Sequence, residues 1–225
     1  VSSLGATGEL LDIFAACSGR IPIISLVLGT VSGVSALAAG LSDFVILGSE
    51  HGQMFMRSPY FIPEVVNGEI DEETLGGAES HSSRSGIACL VADDEHDAIN
   101  IAAEILGYLP DHTLAEPLNV KSGDKWNRSC KKLEDIVPSD SNKPYDMSEV
   151  VNEIVDDGRF MELFPSYAEN ILIGFARLDG QPIGIVANQP KVLAGCLDID
   201  SSVKAARFIR TCDIFNIPVV TFVDV

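Results

Sequence analysis

Residues 170–225, NILIGFARLDGQPIGIVANQPKVLAGCLDIDSSVKAARFIRTCDIFNIPVVTFVDV, leave few ways to fold. Asp179-Gly180 lies between two apolar, alternating runs, and a dipeptide that tolerates two positive-φ positions is what a type I′ hairpin turn requires. The second run ends in the polar tripeptide Asn188-Gln189-Pro190. After a Gly-containing loop, Asp200 or Ser201 is the expected N-cap of a helix whose apolar face carries Val203, Ala206, Phe208 and Ile209. Ile217 to Val225 is Pro-punctuated and β-branched, and is expected to form a core strand. The order of these elements sets an exposed polar loop beside a strand-helix-strand unit.

The same alternation recurs upstream. Glu9 to Cys17 reads as an apolar-rich helix stopped at Gly19, and Ile23 to Leu28 as a short buried strand. Gly29 to Gly33 turns the chain into Val34 to Gly40, a helix of small residues, and Phe44 to Leu47 is the next strand. Pro59, Pro63, Gly68 and Gly76-Gly77 cut Ser58 to Gly77 into short helices and turns. Ile87 to Val91 reads as a strand, and Asp93 to Leu106 as a helix with Ala98, Ile101, Ala102 and Ile105 on one face. From Pro110 to Asp146 the pattern breaks, with Pro110, Pro117, Pro138 and Pro144 interleaved with charges, which reads as an inter-domain connection. Met147 to Val155 resumes helical periodicity behind Asp146 as its cap. Strands and helices alternate on both sides of the break, so the fold class is α/β.

A net charge of −18 opposes binding to nucleic acid or to an anionic membrane surface, and a solvated acidic surface is enough to account for it. No apolar run approaches the roughly 20 residues that span a bilayer. The five cysteines form no CxxC pair, and with no basic-plus-apolar leader they point to a reducing cytoplasm. His51, His81, His96 and His112 have no metal-site spacing, so no metal is expected. Asp93-Asp94-Glu95 suits the positive end of a helix dipole better than a metal.

Three ordered stretches carry a resemblance: GIVANQP at 184–190, GCLDIDSSVKAARFIRTCDIFNIP at 195–218 and TFVDV at 221–225. Upstream, GRIPIISLVLGTVSG at 19–33, LSDF at 41–44 and LGGAESHSSRSGIA at 75–88 continue it. The chain resembles the carboxyltransferase β subunits of biotin-dependent acyl-CoA carboxylases, of the propionyl-CoA carboxylase kind, over nearly all its length and least over Leu114 to Asp135. The resemblance implies a crotonase-like spiral of ββα units, parts of two homologous domains. Residues 1–140 would be the C-terminal part of the first carboxyltransferase domain, and 141–225 the beginning of the second. Val1 in place of Met, and an end at Val225 in or just after a strand, lead to the expectation of an internal segment that is inactive alone and prone to associate.

In such proteins a Gly-bearing turn entering a helix holds the enolate oxygen of an acyl-CoA on free N–H groups. The matching positions are Gly33 and Val34. Val34 departs from the usual second glycine, and a branched side chain would be strained there if the turn needs positive φ. Read alone, the segment also suits tight packing of a small-residue helix. Asn188, Gln189 and Pro190 match the loop near which biotin enters, where paired amides could meet a ureido ring; read alone, they equally suit a turn. His81 shares a motif position with a site-shaping role. Ser58 replaces Gly before Pro59, and Cys89 stands where His is common. Met54, Phe55, Met56, Tyr60 and Phe61 make an apolar patch read as core, with an acyl or pantetheine surface as the alternative.

The implied activity moves a carboxyl group between carboxybiotin, on a partner carrier joined to a biotin carboxylase component, and the α carbon of a short acyl-CoA. The family's mechanism needs no side-chain base, because the freed biotin nitrogen takes the α proton. The resemblance further implies a homo-oligomer, a hexamer. The alternatives are the carboxyltransferase of a sodium-pumping acyl-CoA decarboxylase and a non-catalytic assembly subunit.

Overall fold

A computed structural model describes residues 2–125, 127–140 and 143–224. The chain forms two compact units, Val1–Leu106 and Gly107–Val225.

The first unit opens with helix α1 (Ser2–Cys17) and strand β1 (Ile24–Val27). A short strand β2 (Thr30–Ser32) leads into helix α2 (Val34–Gly40), followed by β3 (Phe44–Gly48) and β4 (Gln53–Phe55). Short helices α3 (Pro63–Val66) and α4 (Glu72–Gly76) and a π-turn at Ser80–Arg84 precede β5 (Leu90–Ala92) and α5 (Glu95–Tyr108). Strands β1, β3 and β5 form a parallel sheet with β3 central, while β2 and β4 pair as a separate parallel ribbon. Every residue of β3 is buried, as its unbroken FVILG run requires of a strand flanked on both sides. Ala36 and Ala39 of α2 pack with Val27, Val45 and Leu47, so the small side chains let the helix lie close to the sheet. Asp94 accepts from the Asp97 N–H and Asp97 from that of Asp93, which gives the acidic run its expected capping role.

The apolar patch expected around Pro59 divides. Met54 and Phe55 lie on β4 and are buried, whereas Met56, Tyr60 and Phe61 are exposed, so core placement holds only for the first two. At position 58 the backbone is extended, with φ −51° and ψ 131°, and serine fits there without strain.

In the second unit α6 (Leu133–Ile136) and α7 (Met147–Ile154) precede β6 (Met161–Leu163), β7 (Ile171–Leu178), β8 (Gln181–Asn188), α8 (Ile199–Ile214) and β9 (Val219–Phe222). The sheet order is β6-β7-β8-β9, antiparallel except for the β8–β9 pair, which α8 joins as a crossover. Asp179 at φ 52° and Gly180 at φ 80° make the expected tight hairpin, and Asp156 accepts both of their N–H groups. Alternation along β7 decides the layers. Leu172 and Ala176 meet Val150, Val151 and Val155 on one face. Phe175 meets Phe208 of α8 on the other, with ring centroids 5.2 Å apart. Gly184 lets α8 approach, since a Cβ there would meet the Cys212 Sγ at 2.6 Å.

The two compact units part at Leu106/Gly107, and the Pro-rich segment is tied into the second: Arg177 donates to the carbonyls of Gly107 and Leu118, and Asn216 to that of Thr113. Three expectations need correction. The N-cap of α8 is Asp198, not Asp200 or Ser201, with Ser201 completing a reciprocal capping box. The buried face of α8 is Ser201, Lys204, Phe208 and Cys212, leaving Val203, Ala206 and Ile209 exposed. Strand β9 pairs with β8 and, among the described residues, with no other strand, so its residues alternate between exposed and half-buried. Val225 lies outside the described residues.

Candidate active site

The turn between β2 and α2 is the first place where sequence and geometry meet. Gly33 is the N-cap of α2 at φ 61° and ψ −124°, a conformation closed to L side chains without strain. Its N–H donates to the Phe55 carbonyl at 2.9 Å, continuing the β2–β4 ladder, and its carbonyl accepts from Leu37. Gly33 therefore shapes the turn and is not the free donor expected of it. Val34 is the first helical residue and does not have positive φ, so its branched side chain is not strained and stands 38% exposed. The N–H groups of the first turn of a helix have no intrahelical acceptors and converge beyond its end. An anion held here would rest on the N–H of Val34 and of the residues just after it. His81 sits behind this ribbon, with its two ring nitrogens 2.9 Å from the Met54 carbonyl and 2.9 Å from the Ser85 hydroxyl. Both nitrogens are engaged, which makes His81 a brace for β4.

The tripeptide after β8 is organised otherwise. Asn188, 8% exposed, exchanges two hydrogen bonds with the main chain of Asp224, at 2.6 and 2.8 Å. Gln189, 5% exposed, accepts from the Met147 N–H at 3.0 Å and donates to Asp146 at 2.8 Å, so its amide closes the N-terminus of α7. Burial works to raise the Asp146 carboxyl, but hydrogen bonds from Ser148, Gln189 and Lys191 outweigh it and hold the pKa at about 2. The side chains of Asn188 and Gln189 are thus engaged inside the second unit. Pro190, half-buried, starts the loop that remains. In that loop Leu193, Ala194 and Gly195 all have positive φ, at 49°, 52° and 71°. Two of the three are not glycine, and such strain persists only where the surroundings impose it.

Two buried polar groups of the second unit have no signal in the local sequence pattern. Asn170, 2% exposed, accepts from the Gln189 N–H at 2.9 Å and donates to the Cys196 carbonyl at 2.8 Å. Lys204, 4% exposed, points its ammonium at main-chain oxygens of residues 164–171. Burial lowers its pKa to about 8, against the opposing pull of Glu162 and Glu169. Lys204 lies four residues before Phe208 and eight before Cys212, on the face that does face the sheet.

The family described as Carboxyl transferase domain matches residues 1–225. The chain is 44% identical over 225 residues to the methylmalonyl-CoA decarboxylase subunit alpha of Veillonella parvula. It is 42% identical over 225 residues to the propionyl-CoA carboxylase carboxyltransferase subunit of Haloferax mediterranei. Each comparison covers 100% of this chain and 44% of the relative, so the chain spans less than half of their length. A crystal structure of transcarboxylase 12S, described as a hexamer with methylmalonyl-coenzyme A and methylmalonic acid bound, superposes with a TM-score of 0.92. That match is at 39% identity and covers 99% of this chain and 43% of the other.

Proposed function

This chain belongs to the carboxyl transferase domain family and has its α/β, crotonase-like fold, and we propose that the protein it comes from transfers a carboxyl group between carboxybiotin and the α carbon of a short acyl-CoA. The observation that carries this is the Gly33 N-cap, held at positive φ directly ahead of α2, since the first N–H groups of a helix, that of Val34 among them, have no intrahelical acceptor. In that role the turn needs no acid or base of its own. Main-chain donors fixed before reaction stabilise the oxyanion that forms as the thioester enolises, at no reorganisation cost. The dipole of the helix end adds to the same field.

Asn188 and Gln189 act in this reading as the frame of the loop that starts at Pro190, and the exposed part of that loop faces the carboxyl donor. No step is assigned to their amides. Residues 1–140 are in this reading the end of one carboxyltransferase domain, and 141–225 the beginning of the next. The partners are a biotin carrier with its carboxylase component, and further copies of the chain in a hexamer. No helix of the described residues is long and apolar enough to cross a membrane, and the cytoplasm is the compartment favoured by five cysteines that form no CxxC motif.

A second reading has its own support: the similarity to a methylmalonyl-CoA decarboxylase subunit. It runs the same chemistry in reverse. The complete subunit, given free biotin with malonyl-, methylmalonyl- or glutaconyl-CoA, is expected to release CO2 from at least one of them in a biotin-dependent way. No biotin-dependent decarboxylation of any of the three by a correctly assembled subunit would reject both readings and favour a non-catalytic assembly role.

A further inference from the structure

A lysine inside a protein ordinarily has a carboxylate partner. Lys204 has main-chain carbonyls. Its ammonium lies 2.8 Å from the oxygen of Phe164, 2.7 Å from that of Tyr167, 2.8 Å from that of Ile171 and 3.3 Å from that of Ala168. An ammonium has three N–H donors, so the three short contacts use them all and the fourth carbonyl contributes its dipole. All four oxygens belong to one stretch, 164–171, which reverses through two non-glycine residues at positive φ, Phe164 at 55° and Ala168 at 46°. Converging carbonyl dipoles repel one another unless a cation sits among them. Glu162 on β6 and Glu169 within the turn are the carboxylates whose field reaches the ammonium.

The turn has a second connection. Asn170, next to the captured Ile171, receives the Gln189 N–H on its carbonyl and holds the Cys196 carbonyl with its side chain. A single residue thereby fastens both ends of the loop 189–196, where three consecutive residues are held at positive φ. Position 204 itself lies on α8, which begins directly after that loop.

We propose that residues 164–171 form a monovalent-cation site that the chain fills with its own Lys204 ammonium, and that this tethered cation, acting through Asn170, positions the 189–196 loop. Neutral main-chain oxygens suit potassium or ammonium, as in carbonyl-lined potassium sites, whereas divalent ions take carboxylates at about 2.0 to 2.6 Å. That the loop serves carboxyl transfer rests on the function proposed above; that Lys204 holds the loop does not.

The test compares Lys204→Met, an apolar side chain of similar length, with Lys204→Ala, which leaves room for an ion, in the complete subunit. Amide hydrogen exchange and thermal unfolding are read in choline, sodium, potassium and ammonium chloride at equal ionic strength. In Lys204→Met, exchange over 164–171 and 189–196 should be about tenfold faster or more, because the carbonyls lose their donor. In Lys204→Ala, potassium or ammonium should restore protection that choline does not, and the wild type should not discriminate among the salts. Should Lys204→Ala fail to fold in choline, its refolding yield in potassium against choline reads the same comparison. Equal behaviour of Lys204→Ala in choline and potassium overturns the cation site, and unchanged exchange over 189–196 in Lys204→Met overturns the positioning role. In turnover, Lys204→Met should raise KM for the carboxyl donor while leaving that for acyl-CoA, and Lys204→Arg, which keeps the charge, should recover part of the loss. A wild type that transfers no carboxyl group would reject the proposed function and leave the exchange result standing.

Discussion

The turn at Gly33-Val34 and the tripeptide Asn188-Gln189-Pro190 are built in opposite ways. At the first, the side chains are a hydrogen atom and an isopropyl group, and every polar group that counts is main-chain. At the second, the side chains are amides, and both are already engaged, with Asp224 in one case and with Asp146 and Met147 in the other. The contrast teaches that a polar residue in a motif is not thereby a contact residue. A buried amide must find partners, and a chain that supplies them internally has made a brace. A glycine turn with nothing polar in its side chains can leave donors open because a helix start cannot satisfy its own first N–H groups.

The sharpest way to break the comparison is Val34→Pro in the complete subunit. Proline is well suited to the first helical position, so the fold should survive while one N–H is removed. The chemical step should slow by about 2.7 to 4 kcal/mol, the cost of one oxyanion donor. Val34→Ala, which keeps the N–H, should turn over nearly as the wild type does. Equal kcat for a folded Val34→Pro enzyme would take the turn out of the site.

Much of this was legible in the residues, and the rest failed for identifiable reasons. The Asp179-Gly180 hairpin and the Asp146 and Asp94 caps follow from local chemistry that tertiary structure did not override. The face of α8 was misread because Val203, Ala206 and Ile209 are the apolar residues, while the buried stripe contains Ser201 and Lys204. Hydrophobicity marks a core face only when no polar group is needed inside it. Lys204 is needed, to meet carbonyls that come from 33 to 40 positions earlier, and no local pattern announces them. Gly33 was legible as part of a Gly-bearing turn into a helix, but its N–H partner Phe55 lies on β4, a three-residue strand too short to be read from periodicity. The engagement of Gln189 by α7 is likewise a contact over 42 positions.

Gly33→Ala sharpens the same side of the comparison. A Cβ at this position would meet nothing within 4 Å, so the whole cost is the strain of placing an L residue at φ 61° and ψ −124°. A loss of roughly 1 to 3 kcal/mol in folding stability is expected. Stability equal to wild type would mean that the turn relaxes, and then a matching loss of turnover would show that its shape, not its stability, matters.

On the other side, Gln189→Ala strips the Met147 N–H of its acceptor and Asp146 of a donor. A loss of about 1 to 3 kcal/mol is expected, read as a shift in denaturant midpoint at constant slope. Apparent KM values for biotin and for acyl-CoA decide whether anything else is lost. A rise for biotin alone, at unchanged stability, would return Gln189 to the role of a direct contact and erase the distinction between the two turns.

The smallest effect is one of pH. Asp146 has its pKa held down from 3.8 to about 2, by hydrogen bonds from Ser148, Gln189 and Lys191 that overcome its burial. A carboxyl more acidic in the folded than in the unfolded chain contributes stability that is fully present above the unfolded value and is lost as pH falls through the folded one. The difference in denaturant midpoint between the wild type and Asp146→Asn should therefore be level from neutral pH to just above 3.8, and shrink between 3.8 and about 2. Asparagine keeps an oxygen for Ser148 and Gln189 but carries no charge toward Lys191, so the comparison isolates the ionised form. Other carboxylates titrate in both proteins and cancel in the difference where they lie far from position 146. A difference that persists undiminished to pH 2 would show that the bracket between α7 and the loop depends on the shape of the side chain and not on its charge.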